Sequence, residues 1–190
     1  LAVGVQGVAI GDAAYQKALQ YSQERVQGKE LGGTSHDPVA IINHPDVRRM
    51  LLSMRSQIDA MRALIAYNAA AIDFSHAHGD TAEQDHWREI ADLLTPVTKA
   101  WCTDVGMDIT STAVQVFGGM GFIEESGVAQ HFRDMRIAPI YEGTNGIQAL
   151  DLLGRKVVMN KGAGLNAVAQ RMRASIACAG DVPALAVHAA

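Results

Sequence analysis

The sequence predicts an all-α fold, an antiparallel up-and-down helical bundle, and three observations carry that expectation. Val47, Leu51, Met54, Ile58, Met61, Ile65, Ala69 and Ile72 recur at spacings of 4-3-4-3-4-4-3, a heptad-like seam that suits a long bundle helix. Aromatic residues make up only 5 % of the chain while alanine is abundant, which favours helix over sheet. No segment alternates apolar and polar residues at the period of a half-buried strand, and no internal repeat is present.

Each element has its own warrant. A first helix is expected from about Val3 to Val26, with Val8, Tyr15, Leu19 and Val26 on one face, ended by Gly28 and the Gly32-Gly33 pair. The stretch from Gly32 to His44, rich in turn residues and containing Pro38, reads as a loop. Asn43-His44-Pro45-Asp46 starts the second helix, in which Arg48, Arg49, Arg55 and Arg62 fall off the seam and point to solvent. Gly79-Asp80-Thr81 interrupts the pattern, and a short helix from Ala82 to Leu94 follows. Thr95-Pro96 reads as an N-cap with proline at the first helical position, so a third long helix carrying Val97, Trp101, Val105, Ile109, Ala113 and Val116 starts there and stops at Gly118-Gly119. A short helix from Ser126 to Arg133, an extended Ile137–Tyr141 segment, and a fourth helix from Thr144 to Asn160 come next, the last with Ile147, Leu150, Leu153 and Val157 inward. After Lys161-Gly162 a final helix spans Leu165 to Cys178, and Gly180 to Ala190 has little to anchor it.

Length and charge narrow the function classes. A chain of 190 residues with 48 % hydrophobic and 19 % charged residues supports one domain with a real core, or at most one and a half. A net charge of −4 argues against a nucleic-acid partner, which calls for a basic face. No uncharged apolar run reaches the roughly 18 residues a membrane span needs. The Ala/Val-rich start has no basic region before it and flows into the first helix, so it is not a signal peptide; without an initiator Met the chain reads as a piece of something longer. Cys102 and Cys178 lie far apart in helical stretches, consistent with reduced thiols and a cytoplasmic location. His76, His78 and His86 are read as solvated turn residues, because their spacing does not place them on one helix face and no other ligand completes a set; no metal is expected. Trp87 and Trp101 are read as core or interface packing.

The chemistry concentrates in Gln115-Val-Phe-Gly-Gly-Met-Gly-Phe122 and Arg136-Ile-Ala-Pro-Ile-Tyr-Glu-Gly-Thr-Asn-Gly-Ile-Gln148. Glu142 sits between an aromatic ring and a glycine, and apolar neighbours would desolvate its ionised form and raise its pKa toward the working range of a general base. The same carboxylate at a helix start would also be favoured by the helix dipole with no catalytic role. Glycines at 118, 119, 121 and 143 let backbone approach something large and flat, or phosphate, and equally make a helix stop and a tight turn.

These two stretches closely resemble the C-terminal signature of the acyl-CoA dehydrogenases. The resemblance runs from Leu1 to about Lys156 and is strongest between Gln115 and Leu153. It implies that Glu142, in Tyr141-Glu-Gly-Thr144, takes the α-proton of a fatty acyl-CoA while FAD takes the β-hydride, with Tyr141 and Gly143 against the substrate. The amide of the glutamate and a flavin ribityl hydroxyl would hydrogen-bond the thioester carbonyl as enolate character develops. Gln115, Gly118 and Gly119 match positions that approach the adenosine end of FAD across a dimer interface, and Thr144 matches a residue that touches the cofactor at a helix start, where it could simply be an N-cap. Gly146 stands where many medium-chain members have a glutamine contact, so that contact is not carried over. Arg25 matches an arginine that reaches the FAD pyrophosphate of a neighbouring subunit, a task suited to a guanidinium fork; otherwise it is a charge partner for a helix C-terminus. Arg25-Val-Gln-Gly-Lys29 is one residue shorter than the usual family spacing and lacks its phenylalanine, which resembles the larger branch that includes the methylthiopropionyl-CoA dehydrogenases.

The resemblance further implies a homo-oligomer (dimer or tetramer), an electron-transfer flavoprotein as redox partner, and a role in fatty acid metabolism. Residues 1–160 would form the bundle domain and 161–190 the start of an extension. The family's other two domains, which supply the isoalloxazine pocket and much of the acyl-CoA site, match nothing in this chain. Two other readings stand beside this one: an acyl-CoA oxidase that passes electrons to oxygen, and a non-catalytic helical assembly module.

Overall fold

The computed structural model describes residues 1–34 and 36–188. The chain is overwhelmingly helical: α1 Ala2–Glu24, α2 Pro45–Ala77, α3 Thr81–Phe117, the single turn α4 Gly119–Phe122, α5 Val128–Met135, α6 Asn145–Asp151 and α7 Ala163–Gly180. It falls into two compact units. One comprises residues 1–66 and 98–146, the other 67–97 and 147–190.

In the first unit the expected up-and-down arrangement is explicit in the contacts. The Ile41 amide, just before α2, donates to the Arg25 carbonyl at the end of α1 at 2.8 Å, while Asp12 further back on α1 pairs with Arg62 further along α2 at 2.7 Å, so α2 descends as α1 rises. Along α1 and α3 the order is the same: a Cβ on Gly4 would meet Thr98, one on Gly7 would meet the Cys102 carbonyl at 2.5 Å, and one on Gly11 would meet Ile109 at 3.6 Å. The two helices therefore run parallel, with α2 antiparallel to both. The seam expected on α2 is the buried one: Leu51, Met54, Ile58 and Met61 join Val8, Ala14, Tyr15, Ala18, Ile109, Ala113 and Val116 in one core. Arg48, Arg49, Arg55 and Arg62 are exposed, as expected.

Four expectations are overturned. The break at Thr95-Pro96 does not occur, because α3 runs through it with Pro96 inside. Proline removes an amide donor and crowds the preceding turn, but Ala91, Leu93, Leu94 and Thr98 around it are all buried, and their burial offsets that cost, so the helix is not ended there. Thr95, far from capping, turns its hydroxyl back to the Ala91 carbonyl at 2.7 Å.

The first helix stops at Glu24, short of Val26, and two short strands stand where loop was expected: β1 Val26–Lys29 and β2 Pro38–Ala40, antiparallel, with Val26 opposite Ala40 and Lys29 opposite Pro38. Every residue of β1 is exposed, so no apolar alternation marks it. Instead Gly28, at φ +75°, creates an irregularity in the pairing.

The Ile137–Tyr141 segment is coiled rather than extended. Ile140 and Tyr141 amides both donate to the Ile137 carbonyl, at 2.9 and 3.1 Å. The fourth helix is present but irregular, and the inward face expected of it is overturned. In the second unit, α6 ends at Asp151, passes through a π-helical turn at Leu152–Lys156, and breaks where Asn160 and Lys161 adopt positive φ. Ile147, Leu150 and Leu153, expected inward, are 55 %, 69 % and 68 % exposed.

The second unit has its own packing: Trp87 rests on Phe74 at 5.1 Å and edge-on to Tyr67 at 6.3 Å, and Lys156 pairs with Asp92 at 2.7 Å. Gly164 lies so close to the Glu89 carbonyl that a Cβ would fall at 2.7 Å. The final helix, α7, agrees with the expectation, and of the tail beyond it residues 189–190 lie outside the described residues. Among the described residues no helix is long and apolar enough to cross a membrane.

Candidate functional site

Two separate features of the first unit gather the candidate residues, one at the C-terminal ends of α1 and α3 and one beside Gln6 of α1 and Lys99–Asp104 of α3. The first is an open cleft of about 390 Å³ between the C-terminal ends of α1 and α3, and Arg25, Gln115 and Gly118 all line it. Arg25 reaches it because α1 ends there. Its amide still donates to the Tyr21 carbonyl at 2.8 Å, but its own backbone is extended and its carbonyl accepts from Ile41 at 2.8 Å, so the residue turns from helix into β1. The cleft wall is braced by Tyr21 stacked on Phe117, with ring centroids 4.0 Å apart. His44 braces it from the other side, its Nε2 donating to the Gln27 carbonyl at 2.7 Å.

Gly118 follows from backbone geometry. At φ 59° and ψ −140° it lies where side-chain-bearing residues are strained. A Cβ on Gly118 or Gly119 would meet no atom within 4 Å, so this backbone faces open space. Gly121 serves packing instead, since a Cβ there would sit 2.3 Å from the Val114 carbonyl. A guanidinium fork, an amide and uncovered backbone are a donor set that fits a pyrophosphate and its attached nucleoside.

The second feature is the loop that carries Tyr141, Glu142, Gly143 and Thr144. None of the four lines the cleft. Glu142 has φ 55°, one of three described non-glycine residues with positive φ, and Gly143 follows at φ 82°. A left-handed conformation costs a residue with a Cβ about 1–2 kcal/mol, so surrounding contacts must impose it. On one side, the Tyr141 hydroxyl donates to Gln6 of α1. On the other, the Asn145 amide donates to the Pro139 carbonyl at 3.0 Å and closes the loop.

The Asn145 side chain then fastens the loop to α3. Its Oδ1 accepts from Lys99 Nζ at 2.7 Å, and its Nδ2 donates to Asp104 Oδ1 at 2.7 Å and Thr103 Oγ1 at 2.9 Å. Burial pulls the Lys99 ammonium below its ordinary value, and Asp104 opposes that shift.

Glu142 itself is exposed, as are Gly143 and Thr144, while Tyr141 is half-buried. The apolar enclosure that the sequence suggested for Glu142 is therefore not supplied by its immediate neighbours in this chain. Among the described residues no group of three His, Cys, Asp or Glu side chains is placed to hold a metal ion, and His76 Nδ1 donates to the Ile72 carbonyl at 2.8 Å. The sequence reading missed Tyr21, Gln27 and His44 at the cleft, and Lys99, Thr103 and Asn145 behind the loop. A signal was present for the latter group: Lys99 and Thr103, four residues apart, are polar residues on the same helix flank as the apolar Cys102.

The chain is similar to known proteins over most of its length. The chain is 50 % identical over 161 residues to the 3-methylmercaptopropionyl-CoA dehydrogenase of Ruegeria pomeroyi, covering 85 % of this chain and 27 % of that protein. It is 39 % identical over 159 residues to a butyryl-CoA dehydrogenase of Syntrophomonas wolfei, covering 84 % of this chain and 26 % of the relative. The chain thus spans about a quarter of the length of these relatives. The solved butyryl-CoA dehydrogenase of Megasphaera elsdenii superposes with a TM-score of 0.59 at 33 % identity, over 80 % of this chain and 34 % of that one. With residues 1–157 matching the family described as acyl-CoA dehydrogenase, C-terminal domain, the cleft and the closed glutamate loop are features of a chain that belongs to the acyl-CoA dehydrogenases.

Proposed function

We propose that this chain supplies the general base for the FAD-dependent α,β-dehydrogenation of an acyl-CoA thioester, and that the base is Glu142. The observation that carries this reading is the left-handed Glu142 at the apex of a loop fastened on both sides, in a chain of this family. Backbone strain of this kind persists where surrounding structure over-determines it, and such places cluster at active sites. The names of the relatives from Ruegeria and Syntrophomonas support an acyl-CoA substrate.

The division of labour follows from the residues. The Glu142 carboxylate accepts the α-proton, and the Glu142 amide donates to the thioester carbonyl, stabilising the enolate character that develops there. Tyr141 and Gly143 flank the acyl group. Bound FAD supplies the acceptor for the β-hydride, and the product is the trans-2-enoyl thioester. Arg25, Gln115 and Gly118, which share the cleft, and Gly119 beside them hold the pyrophosphate and adenosine end of a neighbouring subunit's cofactor, and Thr144 touches cofactor separately, from the glutamate loop. Because the cleft opens outward, its contacts suit a cofactor shared between the subunits of a homo-oligomer. Electrons leave through an electron-transfer flavoprotein; an enzyme reoxidised by oxygen at a comparable rate would instead be an oxidase.

Replacement of the base tests the reading. In the full-length, FAD-loaded enzyme, Glu142→Gln keeps size and hydrogen-bonding capacity but removes the proton acceptor. FAD and acyl-CoA binding should persist while substrate-driven flavin bleaching slows by at least about 10²-fold. Bleaching at the wild-type rate would exclude Glu142 as the base.

A further inference from the structure

We infer that Lys99, Thr103, Asp104 and Asn145 form a clamp that holds the Glu142 backbone in its left-handed conformation, making Lys99 and Asn145 positioning residues for the proposed reaction. The inference rests on the reading of Glu142 as the base. The clamp itself is a matter of geometry.

Lys99 is only 4 % exposed, an uncommon environment for an ammonium, whose burial is costly unless it is well partnered. An apolar side chain would fill the same space without that cost. What lysine adds is a directional donor, and its 2.7 Å hydrogen bond goes to Asn145 Oδ1, three residues beyond Glu142.

The amide orientation of Asn145 is fixed by what surrounds it. Oδ1 faces the cation, while Nδ2 donates to Asp104 Oδ1 at 2.7 Å and to Thr103 Oγ1 at 2.9 Å. A flipped amide would set its NH₂ against the ammonium and its oxygen against the carboxylate. Thr103 in turn donates to the Lys99 carbonyl at 2.9 Å, closing the network on α3. Three of the four members therefore sit on α3, and the fourth, Asn145, ends the loop as the first residue of α6.

That loop residue controls the conformation of interest. The Asn145 amide reaches back to the Pro139 carbonyl at 3.0 Å, so 139–145 is a closed turn. With Asn145 fixed on α3 and Tyr141 tied to Gln6 of α1, the two residues that need positive φ, Glu142 at 55° and Gly143 at 82°, lie between two anchors. If the second anchor is released, Glu142 can relax toward an unstrained conformation, which moves both its carboxylate and its amide. A misplacement of about 1 Å at a reacting group can cost on the order of 10²-fold in rate.

The test uses the full-length, FAD-loaded enzyme and two readouts, substrate-driven flavin bleaching and hydrogen exchange of the Gly143 amide. Lys99→Met and Asn145→Asp should each slow bleaching by about 10- to 100-fold, the range typical of lost supporting contacts, and speed exchange at Gly143, with acyl-CoA binding little changed. The paired exchange Asp104→Asn with Asn145→Asp rebuilds the contact, since the new amide at 104 donates to the new carboxylate at 145. That pair should restore both the rate and the protection of Gly143, which a general loss of stability would not do, and Lys99→Arg should restore most of each.

The clamp is overturned if the single variants bleach at the wild-type rate, if they slow without any change at Gly143, if the paired exchange fails to restore Asn145→Asp, or if Lys99→Arg is as slow as Lys99→Met. If Asn145→Asp loses its helical circular dichroism the paired exchange decides alone, and if Lys99→Met does so Lys99→Arg decides in its place. The underlying reading fails separately. If Glu142→Gln itself bleaches normally, the base is elsewhere, while the Gly143 exchange data still decide whether the clamp exists.

Discussion

At α1 the glycines at 7 and 11 look equivalent in sequence, and only their neighbours tell them apart. A Cβ at Gly7 would stand 2.5 Å from the Cys102 carbonyl oxygen, a backbone atom that cannot move without shifting α3. Gly7→Ala is therefore expected to lose about 1–3 kcal/mol through overpacking, despite alanine's better helix propensity. At Gly11 the nearest atoms are the Ile109 methyls at 3.6 Å, an ordinary contact. Gly11→Ala should be neutral or stabilising by about 0.5–1 kcal/mol. Urea melts of the two variants would check the contrast, and equal effects would refute it.

The two cysteines also separate by environment. Burial pushes the Cys102 thiol up to about 12, from an ordinary value of 9.0, whereas Cys178 is exposed. Iodoacetamide at mildly alkaline pH should modify Cys178 and spare Cys102 until the chain unfolds. The linkage has a definite sign. Between about pH 9 and 12 the unfolded chain loses the Cys102 proton and the folded chain keeps it. Its contribution to stability is thus complete below that window and declines as pH rises through it. Cys102→Ala should remove that part of the alkaline slope in Tm.

Among the elements, the seam on α2 was legible because its regular spacing places every apolar residue on one face, and the structure buries Leu51, Met54, Ile58 and Met61 there. The β1–β2 pair was not legible. It is seven residues in all, joined across an irregular register, and β1 is fully exposed, so the pairing is set by where α1 ends and α2 begins. Edge backbone of this kind should open easily. Amides of Val26–Lys29 are expected to exchange well before those of Ile109–Val116, and protection of the hairpin equal to that of α3 would contradict this account. Pro96 failed as a boundary for the opposite reason. Local chemistry favours a helix start there, but buried side chains on both sides of it keep one helix intact.

For the whole molecule, the exposed apolar residues set the expectation. Phe122 is 86 % exposed, Leu150 69 % and Leu153 68 %, on a chain that covers about a quarter of its relatives. Surfaces of this kind ordinarily find a partner. The isolated chain is expected to dimerise at micromolar concentration in sedimentation experiments, and a well-folded monomer at high micromolar concentration would count against the shared cofactor site.

Sequence alone determined the helical class, the buried face of α2, and the two motifs in which all the candidate residues except Arg25 lie, because helical periodicity and short glycine-rich signatures are local properties of the chain. Tertiary structure decided the rest. It placed Arg25 beside Gln115 and Gly118, which are some ninety residues away along the chain and adjacent only because α1 and α3 run parallel. It carried α3 through Pro96 and left Ile147, Leu150 and Leu153 outward. It also tied Asn145 to Lys99, forty-six residues earlier. No periodicity encodes that bond, since a buried ammonium gains its partner only when the loop and the helix meet in space.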